Sequence, residues 1–365
     1  MNRHSSFRRY AAIRGRARRL VFGVAAIVAM VLGMAGFGAA AAAADTVIDT
    51  IGVGNGARGV AVTPDGSHAY VTNTGDGTVD VIDTVGNTVA TTVTVGNSPS
   101  GVAVTPDGAH AYITNTGDGT VDVIETATNT VVGAPIPVGN SPNAVAVTPD
   151  GAFAYITNFL GGTVSVIETV GNTVATTVNV GNNPTGVAVT PDGSHAYVTN
   201  NVDGTVDVIE TATNTVVGAP IPVGIFPQGV AITPDGAFAY VANNGGPGTV
   251  DVIETAGNTV IDTVTVGNGP TGVAVTPDGS RVYVTDNGGG TVSVIETAGN
   301  TVIDTVTVGT NPEGVAVTPD GSHVYVTNFV DGTVSVIAIE KCLGSLCIDF
   351  GSLTGSGSGA GSAFS

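Results

Sequence analysis

Gly59-Val60-Ala61-Val62-Thr63-Pro64-Asp65-Gly66, then Tyr70-Val71-Thr72-Asn73 and Thr78-Val79-Asp80-Val81-Ile82, is the stretch that decides the architecture. Gly59 to Thr63 is nearly all apolar and reads as a strand buried on both faces. Pro64-Asp65-Gly66 is a tight turn, because Pro pre-sets φ, Asp bonds locally and Gly accepts a positive φ. A second strand follows over Ala69–Asn73. Gly75-Asp76-Gly77 turns the chain into a third strand, Thr78 to Ile82, and Val85-Gly86-Asn87 into a fourth, Thr88 to Val95. These strands are named A to D in chain order. Val and Thr dominate them, both β-branched and both suited to a pleated surface.

The unit repeats. Thr-Pro-Asp-Gly begins at Thr63, Thr105, Thr148, Thr190, Thr233, Thr276 and Thr318, with successive spacings of 42, 43, 42, 43, 43 and 42 residues. The extra residues sit in Gly-Ala-Pro-Ile-Pro at 133–137 and 218–222, and in the longer loop at 243–248. Four antiparallel strands in such a period have the size of a propeller blade. The last unit stops after its strand C near Ile337, while Thr46–Val53 matches the D strands Thr259–Val266 and Thr301–Val308. The expected fold is therefore all-β: a seven-bladed β-propeller of four-stranded antiparallel blades. The N-terminal strand completes the last blade and closes the ring. An open solenoid would leave edges free to pair with other chains.

Tyr70-Val71-Thr72-Asn73 recurs at Tyr112, Tyr155, Tyr197, Tyr240, Tyr283 and Tyr325, with Ala242 replacing Thr and Asp286 replacing Asn. Together with the flanking Gly-Val-Ala-Val-Thr-Pro-Asp-Gly and Gly-Thr-Val-x-Val-Ile, the motif resembles the YVTN β-propeller family over about 46–339. The resemblance implies likeness to exported and surface-layer propellers and, more distantly, to lactonase-type or quinoprotein-type propellers. A shared fold does not carry a reaction with it.

The first 44 residues stand apart. Seven Arg residues precede an apolar run from Leu20 to about Gly38 and an alanine tract, Ala39–Ala44. This order is that of a secretory signal, with cleavage expected after Ala44. An uncleaved anchor is the alternative, since the run nearly spans a bilayer. The pairs Arg8-Arg9 and Arg18-Arg19 leave Sec and twin-arginine export both open. The divisions are thus 1–44 leader, 45–340 propeller and 341–365 tail. Cleavage leaves Arg58, Arg281 and Lys341 against 29 acidic residues, a balance of −26. Such a surface repels phosphate backbones, so nucleic acid is excluded as a partner. Cys342 and Cys347 are the only cysteines and are expected to pair in an exported protein. From Gly351 the tail is Gly/Ser-rich.

Chemistry is sparse. The strand-B tyrosines occur once per blade and are expected to pack between blades with each hydroxyl bonded. His68, His110, His195 and His323 share one repeat offset with Phe153, Phe238 and Arg281, so they fan out around the ring instead of converging on a metal. Asp80, Asp122, Asp207 and Asp251 of strand C alternate with Ser165, Ser293 and Ser335, and read as solvated or locally bonded polar positions. No nucleophile elbow appears. Catalytic residues, metal ligands and cofactors are therefore assigned to none.

The blades differ most just before strand A, at Arg58, Ser100, Asn143, Thr185, Gln228, Thr271 and Glu313. These positions should ring one mouth of the central channel, with Arg58 beside Glu313 once the ring closes. Phe226 in a D–A loop, and Phe159, Phe329 and Asp286 in or beside B–C loops, belong to the same face. Polar groups and exposed aromatics around a concave mouth are the usual form of a ligand site. The expected ligand residues are Arg58, Asn143, Gln228, Glu313, Phe159, Phe226, Asp286 and Phe329. The expected protein is a secreted, monomeric, non-catalytic binding or scaffold module for a protein, peptide or cell-envelope glycan. It should have no stable membrane span after cleavage. A lactonase-like hydrolase is the alternative.

Overall fold

The computed structural model describes residues 44–343 and 346–348, with side chains as far as 340. The first blade is built from Ala57–Val62, His68–Asn73, Thr78–Asp83 and Thr88–Thr94, hydrogen-bonded in that order and antiparallel. Six further blades repeat it. In the second, Gly133-Ala134-Pro135 splits strand D into Thr130–Val131 and Ile136–Pro137, whereas the fourth blade keeps the same insert inside one strand, Thr215–Pro222. The seventh blade takes its strand D from the other end of the chain. Thr46–Gly52 pairs with Thr333–Ala338, from Thr46 opposite Ala338 to Gly52 opposite Thr333. The ring thus closes as the sequence requires.

Each turn is built as its residues dictate. Gly66, at φ 73°, donates its N–H to Thr63 O at 2.8 Å, while Asp65 Oδ1 accepts from Thr63 Oγ1 at 2.6 Å and Ser67 N at 3.0 Å. Strands B and C form the core: Ala69, Val71, Val79, Val81 and Ile82 are buried, as are their counterparts in every blade. Strand A departs from expectation. Val60 and Val62 are only half-buried, because the innermost strand lies against the open channel and not between two layers.

The Tyr-Val-Thr-Asn segment holds each blade to the next at both ends. Tyr70 Oη donates to Asn129 Oδ1 of the second blade's C–D turn at 2.6 Å, and Tyr112, Tyr155, Tyr197, Tyr240 and Tyr325 repeat the contact. Burial pushes these phenols up to about 12, so each stays a donor. At the channel end, Thr72 Oγ1 accepts from Gly59 N at 2.8 Å and donates to Ser100 O of the next blade at 2.7 Å.

Lys341–Leu343 and Leu346–Ile348 form a separate two-stranded hairpin. The Cys342–Cys347 pairing concerns side chains outside the described set, and the leader over 1–43 and the tail from 349 lie outside the described residues. Among the described residues no helix is long and apolar enough to cross a membrane.

Candidate functional site

The threonine contact that joins the blades also sets the channel mouth. Its acceptor is the carbonyl of the variable residue before strand A. Thr114 reaches Asn143 O at 2.7 Å, Thr157 reaches Thr185 O at 2.9 Å and Thr199 reaches Gln228 O at 2.6 Å. Thr285 reaches Glu313 O at 2.8 Å and Thr327 reaches Arg58 O at 2.7 Å. Six repeated hydroxyls therefore fix the backbone from which six non-repeated side chains project. Strand A itself must stay slim: a Cβ on Gly59 would stand 2.4 Å from Ser100 O. The fifth blade has Ala242 at the threonine position, so no hydroxyl reaches Thr271 O there.

Arg58, Ser100, Asn143, Thr185, Gln228, Thr271 and Glu313 line a single cavity of about 190 Å³. Ring closure brings Arg58 Nε to 3.6 Å from Glu313 Oε2, with both side chains partly open to solvent. Burial raises the Glu313 carboxyl above its usual range, and the Arg58 charge only partly offsets this. Asn287 Nδ2 reaches Glu313 Oε1 at 3.4 Å. On the other side of the ring, Asn143 accepts from Ser100 Oγ at 3.1 Å and donates to Thr185 O at 3.1 Å. Thr185 Oγ1 donates to Pro227 O at 2.9 Å, tying the next position in. The Gln228 amide lines the cavity and makes no hydrogen bond with the described residues. The mouth therefore presents a carboxylate, a guanidinium and amides on a rigid frame, a donor and acceptor set for a polar ligand.

The four residues assigned to the loops lie in or beside the D–A and B–C loops as expected, but none of them lines this cavity. Asp286 is fully buried as the last residue of its strand B, accepting from Ser293 Oγ at 2.7 Å and Thr291 Oγ1 at 3.1 Å. Burial raises its carboxyl despite those bonds. It stands where other blades have Asn and ties the end of strand B to strand C. Phe226 is exposed at a positive φ of 55°. Phe159 and Phe329 are half-buried, and the Phe329 ring lies against Gly56 across the closure.

Of the two readings of the strand-C acids, local bonding holds, and in a buried site. Asp80 is 4% exposed and accepts from Gly54 N at 2.9 Å and Asn73 Nδ2 at 2.9 Å, which pins the D–A loop. Where Ser replaces Asp, Asn158 and Asn328 take over the loop glycine through Oδ1. His68 Nδ1 lies 2.8 Å from Ser67 Oγ beside its turn, and His195 and His323 repeat that contact.

Sequence reasoning missed Arg281, read as one more occupant of the His/Phe offset. Its Nη1 lies 2.9 Å from Asp45 Oδ1, and its Nη2 donates to Glu340 O at 3.0 Å. Tyr283 Oη bonds Asp45 Oδ2, because the seventh blade has no C–D turn to offer an Asn. The exchange of Asn for an acid beside the one Arg at that offset was the available signal.

Comparison with known proteins agrees at the level of fold. The family described as lactonase, seven-bladed β-propeller matches residues 248–362. Hydrazine synthase of Kuenenia stuttgartiensis is similar in structure, with a TM-score of 0.73 and 24% identity, covering 78% of this chain and 96% of that one. No curated protein matches. Fold, register and family match thus converge on one statement: the chain is a seven-bladed β-propeller.

Proposed function

We propose that this chain is an exported β-propeller of the YVTN type that works as a non-catalytic binding module, holding its ligand at the mouth lined by Arg58, Asn143, Gln228 and Glu313. One observation carries the reading: the positions at which the blades differ share a single cavity, while the repeated polar residues are consumed in holding blades together. The raised Glu313 carboxyl is consistent with a group kept for recognition at some expense to stability. Hydroxyls and amides suit the mouth, so a cell-envelope glycan or an extended peptide is the ligand class.

The test is retention of a fraction from the producing cell's envelope on immobilised mature protein. Arg58→Ala and Glu313→Ala should each reduce retention at least tenfold without loss of folding. Undiminished retention by both variants removes the mouth as the site. The lactonase match over 248–362 favours a second reading, hydrolysis of lactones on the same scaffold. Metal-dependent turnover on a lactone panel, lost with Glu313→Ala, would establish that reading instead.

A further inference from the structure

The seam where the ring closes holds more chemistry than a strand pairing needs. In the fifth and sixth blades, Tyr240 Oη donates to Asn300 Oδ1 at 2.8 Å, and Asn300 Nδ2 donates to Asp262 Oδ2 at 3.1 Å. One side chain thus supplies both an acceptor to the tyrosine and a donor to a strand-D aspartate. At the seam Asp45 does both jobs with different atoms. Its carboxylate accepts from Tyr283 Oη and from Glu340 N at 2.9 Å, while its own backbone nitrogen donates to Asp304 Oδ2 at 2.8 Å. Asp304 in the sixth blade occupies the place that Asp262 has in the fifth. Asp45 is 5% exposed, whereas Ala44 before it is exposed.

A backbone amide would satisfy Asp304 only as a neutral donor. A free amino group at the same atom would meet it as a cation, and charge-assisted hydrogen bonds are about twice as strong as neutral ones. Ala44 ends the small-residue tract that suits a signal peptidase. We propose that the chain is cut between Ala44 and Asp45, and that the new α-ammonium group of Asp45 pairs with Asp304 to fasten the ring. Water supplies hydroxide to the Ala44 carboxyl and hydrogen to the Asp45 nitrogen, and a peptidase acting at exposed Ala44 catalyses the hydrolysis. Processing and closure then become one event, since the cut creates the cation that the seam carboxylate accepts. Arg281 neutralises the Asp45 side chain, which leaves the ammonium to Asp304. This inference needs export but not the ligand site, so either can fail alone.

The test begins with the intact mass of the full chain after export. A mature form starting at Asp45 is expected, and a start at any other residue overturns the cut. Inserting Gly-Ser between Ala44 and Asp45 keeps every seam side chain but turns the ammonium into an amide. Thermal unfolding should fall by about 1–2 °C, and Asp304→Asn should abolish the difference between the two forms. If the insertion blocks export, acetylating mature Lys341→Arg protein modifies the N-terminal amine alone and should lower the midpoint equally. Equal melting of free and blocked forms overturns the ion pair.

Discussion

Arg281→Met probes whether the seam depends on charge or only on strand pairing. The substitution keeps an unbranched stem of similar reach and removes the guanidinium from Asp45, whose side chain is 2% exposed beside an arginine 22% exposed. Losing one partner of a fully buried ion pair costs about 3–5 kcal/mol. Here the arginine edge is open to solvent, and Asp45 keeps Tyr283 Oη and Glu340 N, so about 2 kcal/mol is the reasoned loss. Unfolding entropy near 2.1 cal/mol/K per residue, over a ring of roughly 300 residues, converts this to a fall of about 3 °C in Tm. Differential scanning calorimetry of the mature protein reads it directly.

Two companions isolate the cause. In an Asp45→Asn background Oδ1 still accepts from Glu340 N and Nδ2 donates to Tyr283 Oη in place of the second acceptor, while the charge is gone, so Arg281→Met should cost less than half as much. His110→Met changes the same repeat offset in the second blade, away from the seam, and should move Tm by under about 1 °C. An Arg281→Met shift equal to that of His110→Met, or unchanged in the Asp45→Asn background, refutes the reasoning.

Three further outcomes follow from the blades. Ala242→Thr restores the missing channel-side hydroxyl, an acceptor for Gly229 N and a donor to Thr271 O, and should raise stability by about 1 kcal/mol in urea unfolding. Glu313 has a raised carboxyl pKa in the fold, so its contribution is full below the unfolded value and is lost as pH rises through the folded one. Glu313→Gln should therefore gain on the parent protein as pH rises from about 4 to 7 in Tm measurements, and a constant difference would contradict the burial argument. Asp65 and Asp192 are held down to about 2, first by the Thr63 and Thr190 hydroxyls and then by the Ser67 and Ser194 N–H groups. Their support is present above the unfolded value and disappears as pH falls through the folded one. The Asp65→Asn/Asp192→Asn double variant should accordingly lose less stability than the parent between about pH 4 and 2 in acid titrations followed by circular dichroism.

Most of the fold was legible because local chemistry and period agree. Pro64-Asp65-Gly66 can be little else than a turn, and Thr46–Val53 is a strand D with no strand C before it. Strand A was misjudged because apolar composition reports the faces of a strand and says nothing of its edge. Val60 packs sideways onto neighbours, yet its strand borders an open channel. Asp286 was misjudged for a related reason: an acid at a strand–loop boundary looks solvated until its Ser293 and Thr291 donors are in place.

Arg58 and Arg281 show where reading by repeats stops. Both break the repeat with a rare cation, and in the sequence they carry equal weight. Arg58 could be placed because Glu313 shares its offset and closure makes their blades adjacent. Arg281 has its partner 236 residues away, at the offset where the other six blades carry the Asn that bonds a tyrosine. Asp45 replaces that Asn at the junction that exists once per ring, so the repeat marks its position but not its ion pair. A departure from repetition can thus arise from a ligand or from closure, and only position separates them. Cations at the channel mouth face open space, as Arg58 does, whereas cations at the seam are consumed by the chain's own ends, as Arg281 is.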